Sequence, residues 1–201
     1  DTATQQVRPQ APQPIVGKYQ INRALEPGCQ YEVLISWVES PLEFYCQYCE
    51  SEDILVTMAE KLKAEYDHLK LNEMCLPSLP TGTACVAYYE EDGNWYRGTV
   101  LKVRGQQAMV KYIDYGNRSK VALSKVKAPS SELIEQEMEA VQCSLKGVSA
   151  PAGGEWPEAV IALFQELSAV QPRLKVIDLE GDHYVVDLIT KDCRSIAERI
   201  V

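Results

Sequence analysis

Five of the 11 tyrosines in this 201-residue chain, Tyr88, Tyr89, Tyr96, Tyr112 and Tyr115, fall in one stretch, YYEEDGNWYRGTVLKVRGQQAMVKYIDYGN, which ends at Asn117. A phenol ring offers an electron-rich face, and a cation resting on it gains about 0.5–2 kcal/mol, more as water is excluded. Rings that converge from several strand ends therefore make a box for a cation. The net charge of −9 points the same way, since an acidic surface favours a cationic partner. It also argues against phosphate-backbone binding, which needs a basic stripe.

The elements that must position these rings are short strands. Residues 84–89 alternate, Asp92-Gly93-Asn94 makes a turn, and residues 95–103 form a second strand. Arg104-Gly105 turns the chain into a third strand at 108–113. Asp114-Tyr115-Gly116-Asn117 then leads to a fourth at 118–123, with Gly116 the natural residue for a positive φ. Four strands in about forty residues predict a small, strongly bent barrel. Alternation sets Tyr96 and Val100 on one face and Trp95, Arg97 and Leu101 on the other, so one ring of the Trp-Tyr pair is expected inside the barrel and the other at its mouth. Tyr89, Tyr96, Tyr112 and Tyr115 can converge at one end, with Tyr88 the alternative to Tyr89.

WYRG, the YIDYGN turn and the acidic DGN hairpin resemble a Tudor domain of the kind that binds methylated arginine. VLISWVESPLEFYCQ, at 33–47, is similar to the strand pair that precedes the barrel in the extended Tudor arrangement. The resemblance implies a mainly β fold with helices (α+β). An SH3-like Tudor barrel is inserted into an OB or staphylococcal-nuclease-like subdomain and joined to it by a long helix. It implies a Pro/Gln-rich linker at residues 1–20 and the first part of the outer subdomain plus helix at 21–78. The Tudor barrel then takes 79–128 and the rest of the outer subdomain 129–201.

Carried over by motif, the methylarginine-binding residues are Tyr89, Tyr96, Tyr112, Tyr115 and Asn117. A methylated guanidinium keeps its charge, loses donors and gains apolar surface, which suits ring faces. Asn117 would accept from a remaining guanidinium N–H and fix its orientation. The hairpin of Glu90, Glu91 and Asp92 would attract an Arg-rich peptide, and Asp114 is expected to stabilise the turn rather than touch the ligand.

The flanking sequence supplies the outer subdomain. Residues 31–38 and 43–49 read as strands. Ser51 is expected to cap a helix whose apolar face runs through Leu55, Met58, Leu62, Tyr66 and Leu69 and which ends before Pro77. His68 reads as a solvated helix residue. Residues 141–148 read as a strand, and Pro157 opens a helix that buries Val160, Leu163, Phe164 and Leu167. Glu180-Gly181-Asp182 joins two further strands, and residues 195–201 start a last helix.

Cys46 and Cys49 stand three apart in a strand and point to opposite faces, so buried thiols are expected there and no metal. The 7 scattered cysteines, with no apolar leader before them, fit a reducing compartment, and no apolar run is long enough for a membrane span. A nuclease-like site needs clustered carboxylates and arginines, and residues 31–50 hold no such grouping. No catalytic residue and no cofactor are expected, and the chain is not expected to be an enzyme.

The expected function is a reader of symmetrically dimethylated arginine in the tail of a Piwi-family protein. The resemblance places it as a scaffold in cytoplasmic, perinuclear germ granules of the piRNA pathway, monomeric as a domain. The alternatives are a single-stranded RNA-binding OB-like surface, which dispersed lysines and arginines disfavour, and a Tudor module for unmodified Arg-rich peptide.

Overall fold

Two antiparallel strands, β1 (Gln30–Ser40) and β2 (Glu43–Tyr48), open the fold, turning at Pro41-Leu42. The computed structural model describes residues 16–20 and 25–200. On β2 alternate side chains are buried on both faces. Phe44, Cys46 and Tyr48 enter one core, while Tyr45 and Gln47 reach the turn at 112–117 of the inserted barrel. β2 is thus a wall shared by two barrels.

The first barrel closes only with strands from the far end of the chain. β2 pairs with β8 (Val141–Leu145), β8 runs parallel to β10 (His183–Ile189), β10 pairs with β9 (Arg173–Glu180), and β9 returns to β1. Val33, Leu145, Leu174, Val176, Val186 and Leu188 fill it. The helix Glu158–Ser168, α3, plugs one end with Phe164, whose ring meets Phe44 edge-on at 5.2 Å. Cys46 Sγ lies 3.4 Å from Cys143 Sγ in this core as a pair of buried thiols, while Cys49 is half-buried, in the turn that follows β2.

Between β2 and β8 the chain makes a second, five-stranded sheet in the order β6-β5-β4-β3-β7. Its strands are β3 (Ala84–Tyr89), β4 (Asn94–Arg104), β5 (Gln107–Tyr112), β6 (Arg118–Ala122) and a short β7 (Val126–Lys127) that pairs with β3. Cys85, Ala87, Val100, Ala108, Val110, Val121 and Val126 form its interior. Gly98 lets β4 and β5 approach closely, because a Cβ there would sit 2.4 Å from Val110 Cγ1.

The long helix α1 (Glu52–Tyr66) buries Met58, Leu62 and Tyr66, one per turn, against Val86, Leu133 and Trp95. It stops at Tyr66, well before Pro77, and the Tyr66 hydroxyl donates to the carbonyl of Ala128 at 2.9 Å. Ser51 stands at the cap position but its hydroxyl donates to Glu139 at 2.7 Å instead, pinning the helix start to the segment that returns to the outer barrel.

Two expectations change. Neither ring of the Trp-Tyr pair fills the barrel: Tyr96 lies at its mouth, and Trp95 is outside it, packed between Tyr66 and Tyr88 under α1. Of the linker expected over residues 1–20, positions 1–15 lie outside the described residues, while 16–20 belong to the fold. Ala84 N–H donates to Gly17 O at 2.9 Å, and buried Tyr19 donates its hydroxyl to Cys85 O at 2.6 Å. The expected last helix is present as α4 (Ala197–Ile200); position 201 lies outside the described residues.

Candidate ligand-binding cleft

The turn after β5 organises the site. Gly116 N–H donates to Tyr112 O at 2.7 Å, and Tyr112 N–H donates to Asn117 O at 2.9 Å. Gly116 is at φ +97°, and a Cβ on it would fall 2.1 Å from Cγ of Tyr45. Glycine is required here both for the backbone and for the ring of β2 that presses on it. Ser36 donates to the carbonyl of Tyr115 at 2.7 Å and Gln47 to that of Asp114, so the outer barrel holds the turn from two strands.

From inside, the turn is fixed by Arg97 and Asp114. Arg97, the arginine of WYRG, is 0 % exposed and Asp114 is 3 %. Nε donates to Asp114 Oδ2 at 2.9 Å and Nη2 to Oδ1 at 2.6 Å, a bidentate pair. The remaining N–H groups reach Leu133 O (2.9 Å), Gln136 O (2.7 Å) and Glu137 O (2.7 Å). All five guanidinium donors are therefore used. Asp114 Oδ1 also accepts from Glu139 N–H at 3.0 Å, and Arg97 lies 5.1 Å from the centre of the Tyr19 ring. Asp114 is the turn-stabilising acceptor the sequence indicates, and its partner ties the turn to the strand-bound segment that follows the helix Ser131–Glu135, α2.

Four rings meet above this anchor. Tyr89 lies 5.3 Å from Tyr112 and 6.2 Å from Tyr96, Tyr96 lies 5.8 Å from Tyr112 and 5.3 Å from Tyr115, and every pair is edge-to-face. Edge-to-face contact sets neighbouring rings nearly at right angles, as the sides of a box stand. Tyr112 is only 1 % exposed and forms the floor, its hydroxyl shared with Ser119 at 2.9 Å. Tyr89, Tyr96 and Tyr115 are half-buried walls, and Asn117 lines the same cleft. The structure thus brings Tyr89, Tyr96, Tyr112, Tyr115 and Asn117 together. Tyr88 points away, its ring 5.3 Å from Trp95 and 4.5 Å from the Lys125 ammonium, so Tyr89 is the residue at the cleft.

Two lining residues escaped the sequence reading, Ser36 and Trp37, and a third, Asp92, was expected only as part of an attracting hairpin. Ser36 and Trp37 reach the rim from β1, and Asp92 from the hairpin. Asp92 accepts from the Tyr96 hydroxyl at 2.5 Å and sets that ring's angle. The DGN turn was a signal for Asp92; nothing local announces the two residues of β1. Glu90 turns aside to pair with Lys125 at 2.5 Å.

Every phenol of the cleft is pushed above its ordinary range. Burial is the main cause for Tyr96, Tyr112 (to about 12) and Tyr115, and the hydrogen bond with Glu91 for Tyr89. The rings stay neutral, and the negative charge at the cleft is that of carboxylates. The cleft encloses about 220 Å³, below the roughly 300–1,000 Å³ typical for whole small molecules. It suits one side-chain head group.

A small bent barrel carried as an insertion within a closed OB-like barrel, with an aromatic cleft where the two meet, defines a recognition module. Residues 26–147 match the Tudor domain family, and the chain belongs to it. Tudor domain-containing protein 1 of Danio rerio is 34% identical over 181 residues, 88% of this chain and 15% of that protein, so the chain spans about a seventh of this curated relative. The fold is that of an extended Tudor domain. The human TDRD1 extended Tudor domain, solved with a symmetrically dimethylated peptide, superposes with a TM-score of 0.80 at 27% identity, over 91% of this chain and 90% of that one. Extended Tudor domain TD3 of mouse TDRD1, solved with a MILI peptide containing dimethylarginine 45, shares the fold with a TM-score of 0.78 at 21% identity, over 91% and 94%.

Proposed function

We propose that this chain is a non-enzymatic reader of symmetrically dimethylated arginine in the Arg-rich tail of a Piwi-family protein, serving as a scaffold in cytoplasmic granules of the piRNA pathway. The observation that carries the reading is the arrangement of Tyr89, Tyr96 and Tyr115 as walls over Tyr112 as floor, with Asn117 at the edge. Three half-buried rings, each contributing about 0.5–2 kcal/mol, would give a few kcal/mol for a caged cation before ordering costs are subtracted. That is enough for weak to moderate binding.

The chemistry of the lining supports recognition over catalysis. Its carboxylate, Asp92, is occupied by the Tyr96 hydroxyl, and the other polar side-chain groups are hydroxyls, a carboxamide and the Trp37 indole N–H. The TDRD1 domains solved with dimethylated peptides support the ligand class, and the MILI peptide supports a Piwi-type tail. Calorimetry with one Arg-Gly-rich peptide in unmodified, symmetric and asymmetric dimethyl forms tests the proposal. The symmetric form should bind most tightly, and equal affinities across the three would remove the methyl-reading claim.

A further inference from the structure

Lysines and arginines that are scattered in sequence gather on one sheet face of the inserted barrel. The register sets Lys102 of β4 opposite Met109 of β5, and Met109 opposite Lys120 of β6. Arg104 stands opposite Gln107 one row outward, and Lys111 opposite Arg118 one row toward the tyrosine cleft. Residues two apart share a face, and a bulge between Val100 and Lys102 turns β4 over once, so all five cations project outward while Val100, Ala108, Val110 and Val121 fill the interior. Arg118 is held by Glu43, and Lys111 lies over the Tyr45 ring at 5.7 Å. Lys102, Arg104 and Lys120 are exposed around a depression of about 190 Å³, completed by Gln107, Ala108 and Met109. Among the described residues none of these three side chains has an ion-pair partner.

On a chain of net charge −9, three uncompensated cations around one depression select a polyanion. Protein interfaces centre on apolar and aromatic side chains and are poor in lysine. Here Met109 is the one large apolar residue in the lining and two of its neighbours are lysines. The lining offers no aromatic ring on which a base could stack, so what it can hold is a backbone. Lys102 and Lys120 are two strand spacings apart, about 10 Å, a patch onto which a flexible strand can fold its phosphates.

We propose that the outer face of β4, β5 and β6 binds the phosphate backbone of single-stranded RNA without sequence preference. β5 carries the chain from Met109 in this depression to the cleft floor at Tyr112 over about 10 Å, so RNA and peptide occupy separate regions of one barrel. The site is independent of what the tyrosines bind.

Fluorescence anisotropy of labelled oligouridine with the full chain, across a salt series, tests it. Three phosphate contacts give a log–log salt slope of about −2, a loss of affinity of about 20-fold between 50 and 200 mM. The double variant Lys102→Glu/Lys120→Glu should abolish binding at low salt. Lys63→Glu, on α1, should leave it unchanged, and thermal unfolding of each variant reports an intact fold. Absence of binding by the parent chain at low salt, or binding that survives the double reversal, overturns the proposal. So does competition by polyglutamate as effective as that of unlabelled oligouridine, which would make the face a dock for an acidic protein.

Discussion

Asp114→Ala should be the most damaging single change near the cleft that touches none of its rings. It removes the acceptors of Arg97 Nε, of one Arg97 Nη2 donor and of Glu139 N–H, and leaves a guanidinium that is 0 % exposed without its counter-charge. Breaking a buried pair from one side costs about 3–5 kcal/mol, out of a total stability of roughly 5–15 kcal/mol. Urea unfolding followed by tryptophan fluorescence measures it, because Trp95 sits between Tyr66 and Tyr88 on the barrel that the pair supports. Since the pair is shielded from ions, the loss should persist in high salt. Replacing both partners with apolar residues, often neutral for a buried pair, should not restore stability here, because Arg97 also serves the carbonyls of Leu133, Gln136 and Glu137. A loss under about 1 kcal/mol, the range of exposed pairs, or one that disappears in high salt, would refute the assignment of Arg97 and Asp114 as the turn's anchor.

Other consequences are as direct. Tyr96→Ala and Tyr115→Ala should each weaken a dimethylarginine peptide by about 2- to 30-fold in calorimetry, the equivalent of one cation–π contact, and Tyr115→Ala should erase the preference for the methylated form. Tyr88→Ala should leave that affinity unchanged, since its ring serves Trp95 and Lys125; a comparable loss would return the choice between Tyr88 and Tyr89 to question. Gly116→Ala should cost about 2–5 kcal/mol in urea unfolding, combining a left-handed backbone with a clash against Tyr45. Tyr45 and Tyr112 are both raised to about 12, chiefly by burial. Their contribution to stability is complete below about pH 10, the ordinary phenol value, and is lost as pH rises through about 12. The melting temperature should therefore fall across that window, and less steeply in Tyr112→Phe.

Four of the five strands of the inserted barrel were legible because the turns at Gly93, Gly105 and Gly116 separate them, whereas the two-residue β7 is too short to carry an alternation. The meeting of four tyrosines followed from where those turns fall. Closure of the outer barrel was not legible, since the parallel pairing of β8 with β10 joins segments whose alternation names no partner. The burial of Arg97 was not legible, because the carbonyls that make it possible come from α2 and the residues just after it, 36 to 40 positions later in the chain. Trp95 was misplaced because alternation tells two faces apart without saying that α1 covers the outer one. Ser36 and Trp37 reach the cleft only through docking of one barrel on the other, a relation no local pattern encodes.

The insertion has a consequence for how the polypeptide is made. β1 and β2 leave the ribosome early, yet Phe44 finds its neighbour Cys143 only after the whole inserted barrel has been synthesised. At about 5–20 residues per second, that interval lasts many seconds. The contiguous inner barrel has time to form first, while the first hairpin waits with an unpaired edge, a template for other nascent chains. Its β2 side chains Tyr45 and Gln47 dock on the finished inner turn, so the guest barrel gives its host a temporary cover until the C-terminal strands arrive.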